Sequence, residues 1–366
     1  ASMPEAQGSE VTPVMDLPSG PMRLVINGRF LGRRVSGVER YALGITREAL
    51  ARWPDARLVV PRGTPVPSAL QHAEVQEVGR FTGPVWEQFE LPRALRRGEL
   101  LLSPANVGPL SVVDQVVVVH DLAVWKAPKG FHPLFVAWYR HLLPRLVDRC
   151  LGVITVSNTM AAEMEAHFGK APGSMPVVPP VPWALPMGEV PVDLPEEPFL
   201  LALGAHDPRK GIEQLVNWYR SGIPRPFGLV LVKGGGDVFR TTGGPQVAGV
   251  RILERVTDAE LLALYRAAVA LAHPSTYEGF GLPVLEAMGV GCPVIARDLP
   301  VLRENFGDAF VTVDPGDPAS WDRAWMRVRD PQERDRLQAA GKAAAANFGP
   351  ERTRRALEAA LRTWLH

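Results

Sequence analysis

The sequence predicts an α/β protein of two Rossmann-like domains whose parallel sheets face a central cleft. Three observations lead there. Strand-like and helix-like segments alternate along nearly the whole chain. The alternation breaks once, where Pro179, Pro180, Pro182, Pro186, Pro191, Pro195 and Pro198 crowd together, and then restarts. The segments that carry glycine and charge follow strands, at the end where such sheets bind ligands. A length of 366 residues suits two domains.

Taken in order, residues 1–21 read as a loose, disordered tail in which Ala1-Ser2 before Met3 looks like a cloning scar. No signal peptide is visible there. The first domain is expected over 22–185. Its strands are Met22–Ile26, Leu58–Val60, Leu100–Leu102, Gln115–Val119 and Gly152–Val156. The unbroken valines after Gln115 suit a strand buried on both faces. Gly37 opens a helix with Tyr41, Ile45 and Leu50 on one face, and further helices fill about 133–149 and 159–168. A Pro-rich linker spans 186–198, and the second domain 199–349. Its strands are Phe199–Leu203, Gly228–Val232, Val250–Leu253, Val269–Ala272, Pro293–Ala296 and Phe310–Val313. A last helix within 350–366 has no strand after it and is expected to pack back towards the first domain.

Composition narrows the function. With 46% hydrophobic and 22% charged residues, the chain is no disordered protein. Forty basic residues against 39 acidic ones exclude a basic nucleic-acid module. Cys150 and Cys292 are far apart in apolar settings, which fits a reducing cytoplasm and no disulfide framework or zinc site. No apolar run reaches the length of a membrane span.

The densest chemistry lies in Pro274-Ser-Thr-Tyr-Glu278-Gly-Phe-Gly-Leu-Pro-Val-Leu-Glu286. Gly279-Phe280-Gly281 turns into a helix opened by Leu282-Pro283, a start that tolerates proline and offers an anion a positive helix end. Glu278 is placed to accept hydrogen bonds from sugar hydroxyls, and Glu286, further on, to reach a ribose. Spacing alone equally allows one capping and one solvated carboxylate. Arg209 and Lys210 follow a strand, where they would offset a diphosphate or be an ordinary surface pair. Gly37 is either a phosphate-facing turn or a plain helix start. His120 ends the apolar strand, with Asp121 beside it to fix its tautomer or cap a turn. Asp-x-Asp, His-Glu-x-x-His and Cys/His clusters are all absent from the sequence, so no metal is expected.

Glu278-x7-Glu286, within Tyr-Glu-Gly-Phe-Gly-Leu-Pro-x-Leu-Glu-Ala-Met, resembles the signature of glycosyltransferase family 4. Other matching segments are Gly204–Gly211, Val156-Ser157, Gly291–Ala296 and Gly307-Asp-Ala309 through Val313-Asp-Pro315. In the first half, Ser36-Gly37-Val38-Glu39-Arg40-Tyr41, Trp86-Glu87-Gln88 with Leu91-Pro92, and His120-Asp121 resemble a mannosyltransferase-like branch that builds surface polysaccharides. Gly211 departs from that branch, where an Asn is frequent, and the triplet Gly234–Gly236 after Lys233 departs from the usual Gly-basic order.

The resemblance implies a GT-B fold and a retaining, metal-independent hexosyltransferase that takes a nucleotide diphosphate sugar as substrate, with no cofactor. The catalytic set would be Glu278, His120, Arg209 and Lys210. The donor would touch Gly37, Arg209, Lys210, Val256, Gly279, Phe280, Gly281, Leu282 and Glu286. His120 would orient the transferred sugar, and Val256, next to Arg255, would meet the base with its backbone, unless that loop only caps a helix. With no evident nucleophile, attack from the leaving-group face is implied, the leaving phosphate taking the acceptor proton. The likeness leans towards GDP-mannose and leaves UDP-glucose open. The acceptor would be a glycan or a lipid-linked sugar, with no nucleic acid involved and a cytoplasmic location, at the inner membrane face if 131–149 rests on lipid. An Arg-rich core helix is the plainer reading of that segment. A GT-B epimerase and a non-catalytic sugar-nucleotide binder remain the alternatives.

Overall fold

The computed structural model describes residues 22–182, 195–204, 207–222, 225–233, 248–254 and 256–365. The 1–21 tail, most of the 186–198 linker, the Gly234–Gly236 turn and Arg255 lie outside the described residues.

Among the described residues, two six-stranded sheets carry the fold. The first comprises β1 (Arg23–Asn27), β2 (Arg57–Pro61), β3 (Glu74–Val78), β4 (Glu99–Ser103), β5 (Gln115–Val118) and β6 (Gly152–Ile154). Its order is β3-β2-β1-β4-β5-β6. The second comprises β7 (Phe199–Leu203), β8 (Gly228–Val232), β9 (Val250–Leu253), β10 (Ala270–His273), β11 (Val294–Arg297) and β12 (Val311–Val313), ordered β12-β11-β10-β7-β8-β9. Every pairing is parallel. Both sheets are therefore wound alike, with switch points between β1 and β4 and between β7 and β10. The loops after β7 and β10 carry Arg209, Lys210 and Glu278, so the winding itself brings these charges together.

No strand is expected from the sequence alone at β3. Its polar Glu74, Gln76 and Glu77 interrupt the apolar signal because it is an edge strand with partly exposed residues. The central strands do show the apolar runs of doubly covered sheets: β5 and β8 are buried throughout.

Several contacts hold the halves around the cleft. Glu304, on the helix Pro300–Phe306, accepts the Asn158 and Thr159 amides at 2.7 Å each and so caps the helix Asn158–Phe168 of the other half. The Tyr277 hydroxyl donates to Glu163 Oε2 at 3.0 Å and accepts the Leu122 amide at 3.0 Å. The last helix, Pro350–Leu361, lies along the helix Gly37–Arg52 of the first half. Arg354 donates to Glu48 Oε2 at 2.8 Å, Arg52 to Glu358 Oε1 at 2.7 Å, and Thr353 Oγ1 to the Pro179 carbonyl at 3.0 Å.

Candidate active site

Between the halves lies a cleft of about 750 Å³. It brings together all the candidate site residues: Gly37 and His120 from the first half, Arg209, Lys210, Val256, Glu278, Gly279, Phe280, Gly281, Leu282 and Glu286 from the second.

The glycines set the geometry of the 278–282 turn. Gly281 has φ of +94°, a left-handed conformation that costs glycine little, and it caps the helix Leu282–Gly289. A Cβ on Gly279 would stand 2.2 Å from the His120 carbonyl oxygen, so this backbone touches the opposite half directly. Ser157 Oγ donates to the Gly279 carbonyl at 2.8 Å and fixes it there. Phe280 turns its ring into the core, edge-on to Phe306 and Phe348, so its backbone rather than its side chain faces a ligand. Across the cleft, a Cβ on Gly37 would stand 3.4 Å from Leu282 Cδ1. The starts of the helices Gly37–Arg52 and Leu282–Gly289 thus face one another, and both positive ends border the same space.

Glu278 is the electrostatic centre. Lys210 Nζ donates to its Oε1 at 2.5 Å, and His273 Nε2 lies 3.0 Å from the same oxygen. Burial opposes ionisation, but the Lys210 ammonium and the His273 ring outweigh it and hold the carboxyl well below the usual range. Glu278 is therefore a fixed carboxylate. Sequence alone assigns His273 no role; its place as the last residue of β10, directly before the motif, is the available signal.

Arg209 does not point freely into the cleft. Its guanidinium forks onto Asp207, with Nη2 donating to Oδ2 at 2.7 Å and Nε to Oδ1 at 3.1 Å. Asp121 Oδ2, from the other half, lies 3.6 Å from Nη1, and the group stacks over Phe131 at 5.1 Å. Burial disfavours its charge, yet Asp121 and Asp207 prevail and raise its pKa. Thr276 donates its amide to the Arg209 carbonyl at 2.7 Å, locking the two switch-point loops together.

His120 is buried, its ring edge-on to Tyr41 at 4.6 Å. Its Nε2 is 3.0 Å from the Pro104 carbonyl oxygen. A carbonyl only accepts, so Nε2 carries the proton and Nδ1 is the acceptor. Pro104 thus sets the tautomer, while Asp121 caps the turn by accepting the Ala123 amide at 2.9 Å. Burial lowers the ring's pKa below its ordinary 6.5. The unfolded chain therefore binds this proton more readily. The stability owed to the neutral ring is complete above pH 6.5 and is lost as pH falls below it. The melting temperature should accordingly fall more steeply below that pH in the native chain than in His120→Gln. Parallel profiles would contradict the assignment.

Glu286 is gripped on both oxygens, by Arg40 Nη1 on Oε1 at 2.7 Å and by the Tyr265 hydroxyl on Oε2 at 3.1 Å. Burial pushes its carboxyl pKa up against the pull of Arg40. Val256 lines the cleft just before Thr257, whose hydroxyl and Glu260 form a capping box for the helix Asp258–Ala267. Lys233 reaches Glu254 nearby at 2.5 Å. Segment 131–149 forms the helix Pro133–Arg149 with Tyr139, Leu142, Leu143, Leu146 and Val147 buried and an Arg-bearing outer face. That is the pattern of a core helix.

Two doubly wound sheets with a charged cleft between their switch points define the GT-B architecture. Solved structures share it: sucrose-phosphate synthase from Thermosynechococcus elongatus superposes with a TM-score of 0.69 at 20% identity, over 93% of this chain and 98% of that one. WaaG, a glycosyltransferase involved in lipopolysaccharide biosynthesis, gives 0.65 at 15% identity, over 92% and 99%. The family model for group 1 glycosyl transferases matches residues 191–344. The O-antigen chain mannosyltransferase B of Escherichia coli is 30% identical over 256 residues, 64% of this chain and 67% of that protein. The O-antigen chain mannosyltransferase RfbU of Salmonella typhimurium is 29% identical over 272 residues, 70% and 74% of the two chains. The chain belongs to the group 1, family 4 glycosyltransferases, and it is a glycosyltransferase.

Proposed function

We propose that this enzyme transfers mannose from GDP-mannose, with retention of configuration, to a glycan or lipid-linked acceptor in surface polysaccharide synthesis. The observation that carries the reading is the ionised Glu278, paired with Lys210 beside the positive start of the helix Leu282–Gly289. The two O-antigen mannosyltransferases support the sugar. The donor diphosphate would lie between Lys210, Arg209 and the Gly279–Leu282 backbone, whose charge and dipoles favour the leaving group. Glu278 would hold sugar hydroxyls, Nδ1 of His120 would accept another, and Glu286 would bind the ribose. The acceptor oxygen bonds to the anomeric carbon from the face that the diphosphate leaves. The bond from the anomeric carbon to the diphosphate oxygen breaks, and the acceptor proton passes to that departing oxygen. In this reading Arg209 and Lys210 would offset the diphosphate charge that a metal offsets in other transferases, so turnover is expected to persist in EDTA. Incubation of GDP-mannose with candidate acceptors, and NMR of the product's anomeric proton, tests the reading. An α-linked product formed in EDTA supports it; inversion, or a strict metal requirement, would overturn it.

A lipid-linked acceptor needs a surface that meets lipid. Phe81, Val85 and Phe89 are exposed at four-residue spacing, beside exposed Arg80, Arg93, Arg96 and Arg97. The carboxylate in their midst, Glu90, is turned onto the Arg80 and Phe81 amides at 2.9 and 3.0 Å. Such a face suits an anionic bilayer. Sedimentation with phosphatidylglycerol vesicles should fall about tenfold in the doubly substituted Phe89→Ser, Arg93→Glu chain. Equal sedimentation would remove this face from the proposal.

A further inference from the structure

Arg40 is the fourth residue of the helix Gly37–Arg52, on the half opposite the donor carboxylates. Its guanidinium crosses the cleft. Nη1 donates to Glu286 Oε1 at 2.7 Å, and Nη2 donates to Asp258 Oδ1. Asp258 opens the helix Asp258–Ala267, and Glu286 lies one turn into the helix Leu282–Gly289. Tyr265 holds the second oxygen of Glu286 from within its own half. The Glu286 carboxylate is thus fixed by one donor from each half, with only 4% of its side chain exposed.

Two readings of this contact are possible, and lone-pair arithmetic separates them. If Arg40 blocked the ribose site, donor binding would have to displace it. A carboxylate offers about four acceptor positions, and Arg40 and Tyr265 use two. A ribose diol can therefore bind Glu286 with both donors in place. Arg40 is itself tied at Asp258, so its fork has one orientation and imposes one on Glu286. Without it, a nearly buried carboxylate would lose its counter-charge as well as its orientation.

We propose that Arg40 is a positioning residue for the nucleotide donor: from the acceptor-side half it aims Glu286 at the ribose, so that ribose recognition requires the two halves to be together. This rests on the reading of Glu286 as the ribose partner given above.

The test is a cycle between protein and ligand. Calorimetry would compare GDP with 2′,3′-dideoxy-GDP on the native chain, Arg40→Lys and Arg40→Ala. Arg40→Ala is expected to weaken GDP about tenfold and to leave the dideoxy nucleotide within about twofold, with Arg40→Lys recovering part of the loss. Equal losses on both nucleotides would overturn the proposal, since a general loosening of the cleft has no reason to follow the ribose hydroxyls. Unchanged GDP affinity would overturn it too. If the native chain binds both nucleotides equally, the ribose reading of Glu286 falls and takes the proposal with it. If it binds GDP selectively while Arg40 shows no such cycle, only the role of Arg40 falls. Should Arg40→Ala not fold, the same comparison on Arg40→Lys decides.

Discussion

Glu278→Ala is expected to reduce kcat/KM about a thousandfold while the chain still folds. The carboxylate is contacted from both switch-point strands of the second sheet, through Lys210 after β7 and His273 at the end of β10. Those partners keep it ionised, so under the proposed function it would meet sugar hydroxyls purely as an acceptor. Removing it loses that hold on the sugar and leaves Lys210 free to pair with diphosphate in the ground state, which tightens product without helping transfer. Glu278→Gln keeps the shape but not the charge, and an intermediate loss of about a hundredfold is expected. Steady-state rates with circular dichroism on each variant check this. A folded Glu278→Ala enzyme with near-native turnover would remove Glu278 from the mechanism.

Gly279→Ala should reduce the rate about a hundredfold by a different route. The added methyl would stand 2.2 Å from the His120 carbonyl oxygen, an approach that real contacts do not allow. Backbone faces backbone here, so no flexible side chain can yield. Either the 278–282 turn or the half carrying His120 must shift, and about one ångström of misplacement is enough to cost about a hundredfold in rate. The buried sheets are untouched, so the melting temperature should change little. Equal loss of stability and activity would show that Gly279 matters for folding instead. Full activity would mean that the two halves do not meet at this point during turnover.

The fold was legible because buried parallel strands announce themselves as apolar runs, as in Val116–Val119 and Leu229–Val232. β3 was missed for the converse reason: an edge strand can afford Glu74, Gln76 and Glu77, which erase the signal. At the site, the residues in one contiguous motif were readable, since the tight turn and the helix start are local events. What escaped was side-chain pairing. Arg40 reaching Glu286 from 246 positions away and Lys210 reaching Glu278 from 68 depend on tertiary approach, whereas Asp207 beside Arg209 and His273 beside Glu278 depend on the local path of their loops. Arg40 has no role legible in the sequence because side-chain partners across a cleft have no sequence period, and Asp207 has none because the turn that folds it onto Arg209 is set by the loop's backbone. The His120 tautomer is a similar case, with its neighbour Asp121 in view and its actual partner, Pro104, sixteen residues back.

The proposed function requires the cleft between the switch points to be a nucleotide diphosphate site. Calorimetric titration with GDP, UDP, dTDP, ADP and CMP in EDTA, on the native chain and Lys210→Ala, decides whether it is. GDP is expected to bind best, and Lys210→Ala to lose most of that binding. No binding of any nucleotide at about 1 mM, or GDP binding indifferent to Lys210, would contradict it.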